Sequence, residues 1–383
     1  MMKTETEEDK ALTTTKTDKA DLAKKYARTH QIFSLVETLV FVSVILILIF
    51  TGLSLRIESF AFEITSNNYL ALLVFFAIIG IAEGVISFPL GYYSDYYLEH
   101  RYGLSNQSLK GYFTEKMKGL ALGIILGVPL LLAFYYILMT FGDNWWLILG
   151  VFMFFVSVIL GRITPTIIMP LFYKFKPLEN DELKSAILDL CRKTGVHVKG
   201  IYTFNMSKDT KKANAAFTGM GRTKRIILGD TLVENFSKEE IEMVFSHEMG
   251  HYKKNHIIKI ITVSTILTFA GLYITANLYE ASLGYFGFSG ISEIAAIPLL
   301  FLYLSIYGLI TSPVSNIFSR KFEWEADTFA LETTKNKPAF ISAMEKLADQ
   351  NLAEKSPNKV IEFLFHSHPS IEKRIQFAEK FSF

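Results

Sequence analysis

Six stretches of this chain are apolar over more than 20 residues each, at 32–55, 69–92, 119–140, 145–169, 257–279 and 291–318. A helix needs about 20 apolar residues to cross the hydrocarbon core of a bilayer. Only helices and closed barrels satisfy every backbone polar group there. A run such as Val40-Phe-Val-Ser-Val-Ile-Leu-Ile-Leu-Ile-Phe50 has no polar face, which argues against a helix half-buried in a soluble core. The stretches account for a chain that is 50% hydrophobic. They predict an all-α polytopic membrane protein of about six transmembrane helices.

Basic residues set the expected orientation. The polar tail 1–31 carries Lys3, Lys10, Lys16, Lys19, Lys24, Lys25 and Arg28, and shows no small-residue cleavage site. The first span therefore reads as an anchor rather than a signal peptide, behind a tail expected to be disordered. Loop 56–68 has only Arg56, and 141–144 and 280–290 have no basic residue; 93–118 has Arg101, Lys110, Lys116 and Lys118, and 170–256 and 319–383 are rich in Lys and Arg. The positive-inside rule puts both termini and the last three of these segments in the cytoplasm. Five parts follow: a tail (1–31), a four-span domain (32–169), a cytoplasmic segment (170–256), two further spans (257–318) and a C-terminal segment (319–383). Net charge is only +2, so nucleic acid is not an expected partner; the lipid bilayer is. The single cysteine, Cys191, rules out an internal disulfide and a cysteine metal cage and reads as a packed core thiol.

Charges within or near spans are costly in lipid. For mid-span Glu83, a cavity-lining role and a structural pair stay open. Arg162 and Glu293 lie near enough to span ends to snorkel. Prolines 89, 129, 165 and 170 are expected to kink or end spans.

Segment 170–256 changes character. A helical pattern over 181–194 ends at Gly195, residues 196–204 alternate like a strand, and 213–219 and 222–229 read as further extended segments. A small α+β portion thus precedes Ser237-Lys-Glu-Glu240, a capping box that opens a helix running into His247-Glu-Met-Gly-His251. On a helix, His247 and His251 share one face. That spacing lets both imidazoles bind one Zn²⁺ while Glu248 serves as general base. The alternative is a surface helix with two solvated histidines. Downstream, Glu323-Trp-Glu-Ala-Asp327 is where a third ligand can arise. A histidine third ligand in the H-E-x-x-H-x-x-G-x-x-H pattern is absent, and His256 is expected at the membrane interface. An edge strand beside such a helix can pair with an extended peptide, although a structural hairpin reads almost as well.

These residues, with Phe88-Pro-Leu-Gly-Tyr-Tyr93, Glu99-His-Arg-Tyr-Gly-Leu-Ser-Asn-Gln-Ser108, Pro170-Leu-Phe-Tyr-Lys-Phe175, Asn214-Ala-Ala-Phe217 and His366-Ser-His-Pro-Ser370 followed by Arg374, resemble the type I CAAX prenyl proteases, integral-membrane zinc metalloproteases. The resemblance runs from about residue 32 to the C-terminus. It implies zinc, one ion per chain, held by His247, His251 and Glu323, with Glu248 as general base. It further implies His368 as the group that stabilises the oxyanion, Asp327 as an acid that orients a ligand histidine, and Asn214 and Arg374 as substrate-binding residues. Glu325 is expected to point elsewhere and be structural. The implied substrate is a peptide or protein cut near its C-terminus, with prenylation left open. Eukaryotic members carry a seventh, N-terminal span. Its absence here suggests a prokaryotic member in a plasma membrane, the endoplasmic reticulum being the location for a eukaryotic one.

Three rivals are weighed. An HtpX-like quality-control protease would have two spans before the zinc helix rather than four. A site-2 protease would place the motif inside a span, whereas Lys238, Glu239, Lys253 and Lys254 flank it here. A transporter or channel with a non-catalytic zinc site would lack peptidase activity.

Overall fold

Every apolar stretch forms a helix in the computed structural model, which describes residues 7–218 and 225–383, with side chains from residue 19 onward. Helix α1 (Glu7–Phe50) carries the first span and is followed by a short α2 (Leu53–Ile64). The second span is α3 (Asn68–Tyr92), which runs through a π turn (Tyr93–Leu98) into α4 (Glu99–Arg101). Then come α5 (Leu109–Thr140) and α6 (Trp145–Ile163), the latter passing through a second π turn (Thr164–Ile168) into α7 (Met169–Phe172). Pro89 lies just before the first π turn and Pro165 within the second, so the lost amide donor is absorbed by a local change of pitch. Pro129 sits inside α5 without ending it.

Over its described residues, 7–31, the tail is helical rather than disordered. Helix α1 begins at Glu7, well before its apolar stretch, and Ala23 and Tyr26 are buried. The Tyr26 hydroxyl donates to Glu99, which also pairs with Lys212 at 2.9 Å. Aromatic packing explains the order: Tyr26 lies edge-on to Tyr102, in an apolar cluster with Leu98, Leu104 and Leu352 that the residue-by-residue polarity of the tail conceals.

A four-stranded sheet builds the water-facing part, with β1 (Phe175–Pro177), β2 (Gly200–Phe204), β3 (Ala215–Thr218) and β4 (Arg225–Gly229) in the order β1-β2-β4-β3. Strand β2 runs parallel to β4, the other pairs are antiparallel, and β3 is an edge. The alternating pattern at 196–204 pairs only from Gly200, and residues 219 and 222–224 of the expected strands lie outside the described residues. Helix α8 (Asp181–Thr194) is capped by Asn180 and closed by Gly195 at φ 66°. After α9 (Asp230–Asn235) comes α10 (Lys238–Lys253), which packs on this sheet. Full burial of Phe245 and Met249 against Ile187, Ile226 and Leu228 stabilises the contact by about 1.5–3 kcal/mol per side chain. Cys191 is buried in the same core.

The chain re-enters the bundle through α11 (His256–Ser282) and α12 (Ile297–Thr334). Among the described residues, six helices are long and apolar enough to cross a membrane. Their outer faces carry side chains such as Ile81, Val85 and Ile310, each 69% exposed, as lipid contact requires. Glu83 accepts from Ser87 at 2.7 Å and also lines a cavity of about 500 Å³ with Glu37, Thr38 and Ser305, so both of its readings hold together. Arg162 is exposed at the end of α6, and Glu293 accepts from the Ser289 amide in the short connection before α12. Helices α13 (Lys337–Gln350), α14 (Lys359–Phe365) and α15 (Ile371–Lys380) close over α10 and α12.

Candidate active site

The capping box starts the site. Ser237 accepts from the Glu240 amide at 3.3 Å, and the Ser237 amide donates to Glu240 Oε2 at 2.7 Å. Glu240 also receives Ser342 and Lys346 from α13, the latter at 2.8 Å. The start of α10 is therefore tied to the C-terminal segment as well as to itself.

One turn from its end, α10 meets α12 at Gly250. A Cβ there would lie 3.0 Å from Ala326 Cα and 3.1 Å from Ala326 O. Glycine permits this backbone approach without displacing α12, and it brings Glu323 within reach of both histidines. Glu323 Oε2 lies 3.3 Å from His247 Nε2, and its Oε1 lies 3.2 Å from His251 Nε2; the two Nε2 atoms are 3.1 Å apart. Tetrahedral ligands about 2.05 Å from a zinc ion stand roughly 3.3 Å from one another. The set fits a metal in a second way. Glu323 Oε2 is buried without a well-aligned hydrogen bond, although His368 Nδ1 lies 2.8 Å away. Two nitrogens and a carboxylate oxygen are the donors of a catalytic zinc site with one position left open.

Asp327, one turn beyond Glu323, is fully buried and lies 2.8 Å from His247 Nδ1. Arg374 grips it with Nε at 2.8 Å from Oδ2 and Nη2 at 2.5 Å from Oδ1. This corrects the expectation for Arg374. Arg374 is only 7% exposed, and its guanidinium lies against Asp327 with Nη2 also 3.3 Å from His247 Nδ1, so it supports the pocket rather than reaching for substrate. Removing either partner of this buried pair would leave an uncompensated charge in low-dielectric surroundings. Burial alone would push His247 down, but Asp327 and Glu323 outweigh it and push the imidazole up to about 9. The pocket's negative field thus favours a cation. Burial pushes the half-buried Glu248 carboxyl up, opposed by His247 and His251.

His368 is the most exposed of the group, with 63% of its side chain open to solvent, and faces Glu323 from the segment after α14. Arg320 holds that segment by donating to the His366 carbonyl at 2.6 Å. Asn214 is exposed at the head of β3, and its carbonyl accepts the Gly229 amide at 2.8 Å. Phe217 of β3 packs against Tyr252 of α10, with ring centroids 5.1 Å apart, so the edge strand runs alongside the histidine helix.

His256 opens the span helix α11 and is 1% exposed, with Nδ1 2.9 Å from His251 Nδ1, a contact the sequence reading did not foresee. Glu325 points away from the His247, His251 and Glu323 donors and pairs with His256 Nε2 at 3.0 Å and Lys259 Nζ at 3.1 Å. The turn between α10 and α11 decides the His256 contact, since Asn255 adopts φ 57°, ψ 35° and folds His256 back. Asparagine tolerates that left-handed conformation, which was the one signal in the sequence for it.

A largely buried His, His, Glu pocket on a helix that packs beside an edge strand, carried by a bundle in which six helices among the described residues are long and apolar enough to cross a membrane, defines a membrane metallopeptidase. Residues 177–382 match the model of peptidase family M48, and residues 4–174 match that of "CAAX prenyl protease N-terminal, five membrane helices". The chain belongs to peptidase family M48, and it is a membrane zinc metalloprotease. It is 30% identical to the uncharacterized metalloprotease YhfN of Bacillus subtilis over 87% of this chain and 79% of that one. It is also 30% identical to CAAX prenyl protease 1 of Saccharomyces cerevisiae, covering 79% of this chain and 71% of that one. The crystal structure of S. mikatae Ste24p superposes with a TM-score of 0.81 at 27% identity, over 95% of this chain and 88% of that one. These likenesses favour neither the transporter nor the quality-control alternative.

Proposed function

We propose that this protein is an endopeptidase that cuts near the C-terminus of peptide substrates, CAAX sequences carrying a prenyl group among them. One zinc ion would be held by His247, His251 and Glu323. The carrying observation is that α10, which bears His247 and His251, packs beside edge strand β3 through Tyr252 and Phe217; among the described residues the side of β3 away from β4 is unpaired and can take an extended peptide as one more strand. Asn214, at the head of that strand, would hold the substrate backbone. When bound, zinc supplies Lewis acidity to the scissile carbonyl and to the attacking water. Glu248 takes the proton that water sheds as its oxygen joins the carbonyl carbon, and passes it to the amine nitrogen as the C–N bond breaks. His368 donates to the oxyanion of the tetrahedral intermediate. Asp327 keeps the His247 proton on Nδ1, leaving Nε2 free to ligate. The prenyl preference rests on likeness to the yeast relative. The cytoplasmic placement of the site and both termini rests on the basic residues of their segments.

The test is a matched pair of peptides, one prenylated at a C-terminal CAAX cysteine and one not, with Glu248→Ala as blank. Cleavage confined to the prenylated peptide supports the full reading. Equal cleavage of both leaves an endopeptidase that does not read the lipid. No Glu248-dependent cleavage of either would reject it.

A further inference from the structure

A chain of hydrogen bonds leads away from His251, and the catalytic reading makes no use of it. His251 Nδ1 faces His256 Nδ1 at 2.9 Å, and His256 Nε2 faces Glu325 Oε2 at 3.0 Å. Lys259 Nζ pins the same carboxylate oxygen at 3.1 Å. The His256 ring stacks on Phe322, with centroids 4.6 Å apart and planes 18° from parallel. In one unbroken helix, residues five apart stand about 140° round from each other and cannot meet. The contact exists because Asn255 breaks α10 from α11 in a left-handed conformation.

The chemistry fixes the direction of the protons. To ligate through Nε2, His251 must carry its proton on Nδ1. The atom that faces this proton is His256 Nδ1, which must accept. His256 then carries its own proton on Nε2, and Glu325 accepts it. Each donor finds one acceptor, whereas the opposite tautomer of His256 sets two N–H groups head to head. Phe322, Lys259 and the αL turn hold the arrangement in place from three sides.

We propose that His256, backed by Glu325, is a positioning residue for the metal site: it fixes the tautomer and ring orientation of His251, as Asp327 does for His247. The inference rests on the reading of His251 as a zinc ligand. Each ligand histidine then has its own support, one from α12 and one from the start of α11. A phenylalanine could fill the place of His256 against Phe322, so the imidazole is needed for its nitrogen rather than its shape.

The experiment is chelator-competition zinc affinity of the full-length protein in detergent, with thermal unfolding of the chelated protein alongside. His256→Phe keeps the ring and removes the acceptor. His256→Asn removes the ring and keeps an oxygen near the place of Nδ1. Loss of outer support of this kind lowers metal affinity roughly 10- to 100-fold, expected for His256→Phe, with His256→Asn within about threefold of wild type. Unchanged zinc affinity in His256→Phe, with the chelated His256→Asn protein losing thermal stability, would make His256 a packing residue and overturn the proposal. Should His256→Phe fail to fold, Glu325→Ala carries the test at the relay's outer end, where unchanged affinity overturns it as well. A His251→Ala control separates the two readings. Zinc lost in His251→Ala but kept in His256→Phe defeats only the relay; zinc kept in His251→Ala defeats the assigned site itself.

Discussion

Replacing Gly250 by alanine places a methyl carbon 3.0 Å from Ala326 Cα, 3.1 Å from Ala326 O and 3.2 Å from Phe329 Cβ. Ordinary carbon contacts stand at about 3.5–4.0 Å, so α10 and α12 must part by roughly 0.5 Å. The first two obstacles are backbone, which cannot swing aside as a side chain can. Ala326 sits between Glu323 and Asp327 on α12, so any retreat carries both carboxylates with it. Metal–ligand distances tolerate only about 0.2 Å. Overpacking costs about 1–3 kcal/mol, and better helix propensity returns about 1 kcal/mol. We therefore expect a small loss of thermal stability, on the order of 0–2 kcal/mol, beside a fall in zinc affinity on the order of tenfold, or about 1.4 kcal/mol. Chelator competition measures the second and unfolding of the chelated protein the first. Gly161→Ala, where a Cβ meets nothing within 4 Å, is the control and should leave zinc affinity unchanged. A folded Gly250→Ala protein that binds zinc and cleaves peptide within about twofold of wild type would show that this close approach does not set the ligand geometry.

Glu248→Ala should abolish cleavage and keep zinc, as metal analysis of the purified variant would show; a variant stripped of zinc would make Glu248 part of the donor set. Arg374→Ala leaves Asp327 buried beside His247 alone, and breaking a buried pair costs about 3 kcal/mol. Unfolding should show that loss, and an unchanged midpoint would refute the buried pairing. Burial would raise Glu240, but Lys346, Ser342 and the Ser237 amide outweigh it and hold the carboxyl below its ordinary range. A lowered folded value gives stability that is present above the unfolded value of about 4.3 and lost as pH falls through the folded one. Glu240→Gln should therefore show a shallower drop in unfolding temperature below about pH 4.3 than wild type; equal slopes would reject the linkage.

The membrane architecture was legible because it is written locally. An apolar run of more than 20 residues has one low-energy destination, and all six runs are helices. The opening of α10 was legible for the same reason, since a capping box involves residues three apart. The tail was misread because its polarity was judged residue by residue, whereas its order depends on Glu99 and Lys212, far along the chain. Arg374 was misread for a like reason: a family position near the site says nothing about which carboxylate its guanidinium will meet. The edge status of β3 could not be read from alternation, because strand order is a property of the sheet.

What the sequence by itself determined is therefore the number of spans, the pair of histidines on one helical face with a glutamate beside them, and the acidic pair one turn apart on a later helix. These depend on periodicity, which acts over a few residues. Only the tertiary structure decided that Glu323 closes the metal pocket, because that requires two helix backbones to touch at Gly250, 73 residues before it in the chain. Only it decided that His256 turns back onto His251, because a single left-handed residue redirects the chain there. Side chains this far apart meet through packing and backbone turns, whose outcome no local pattern encodes.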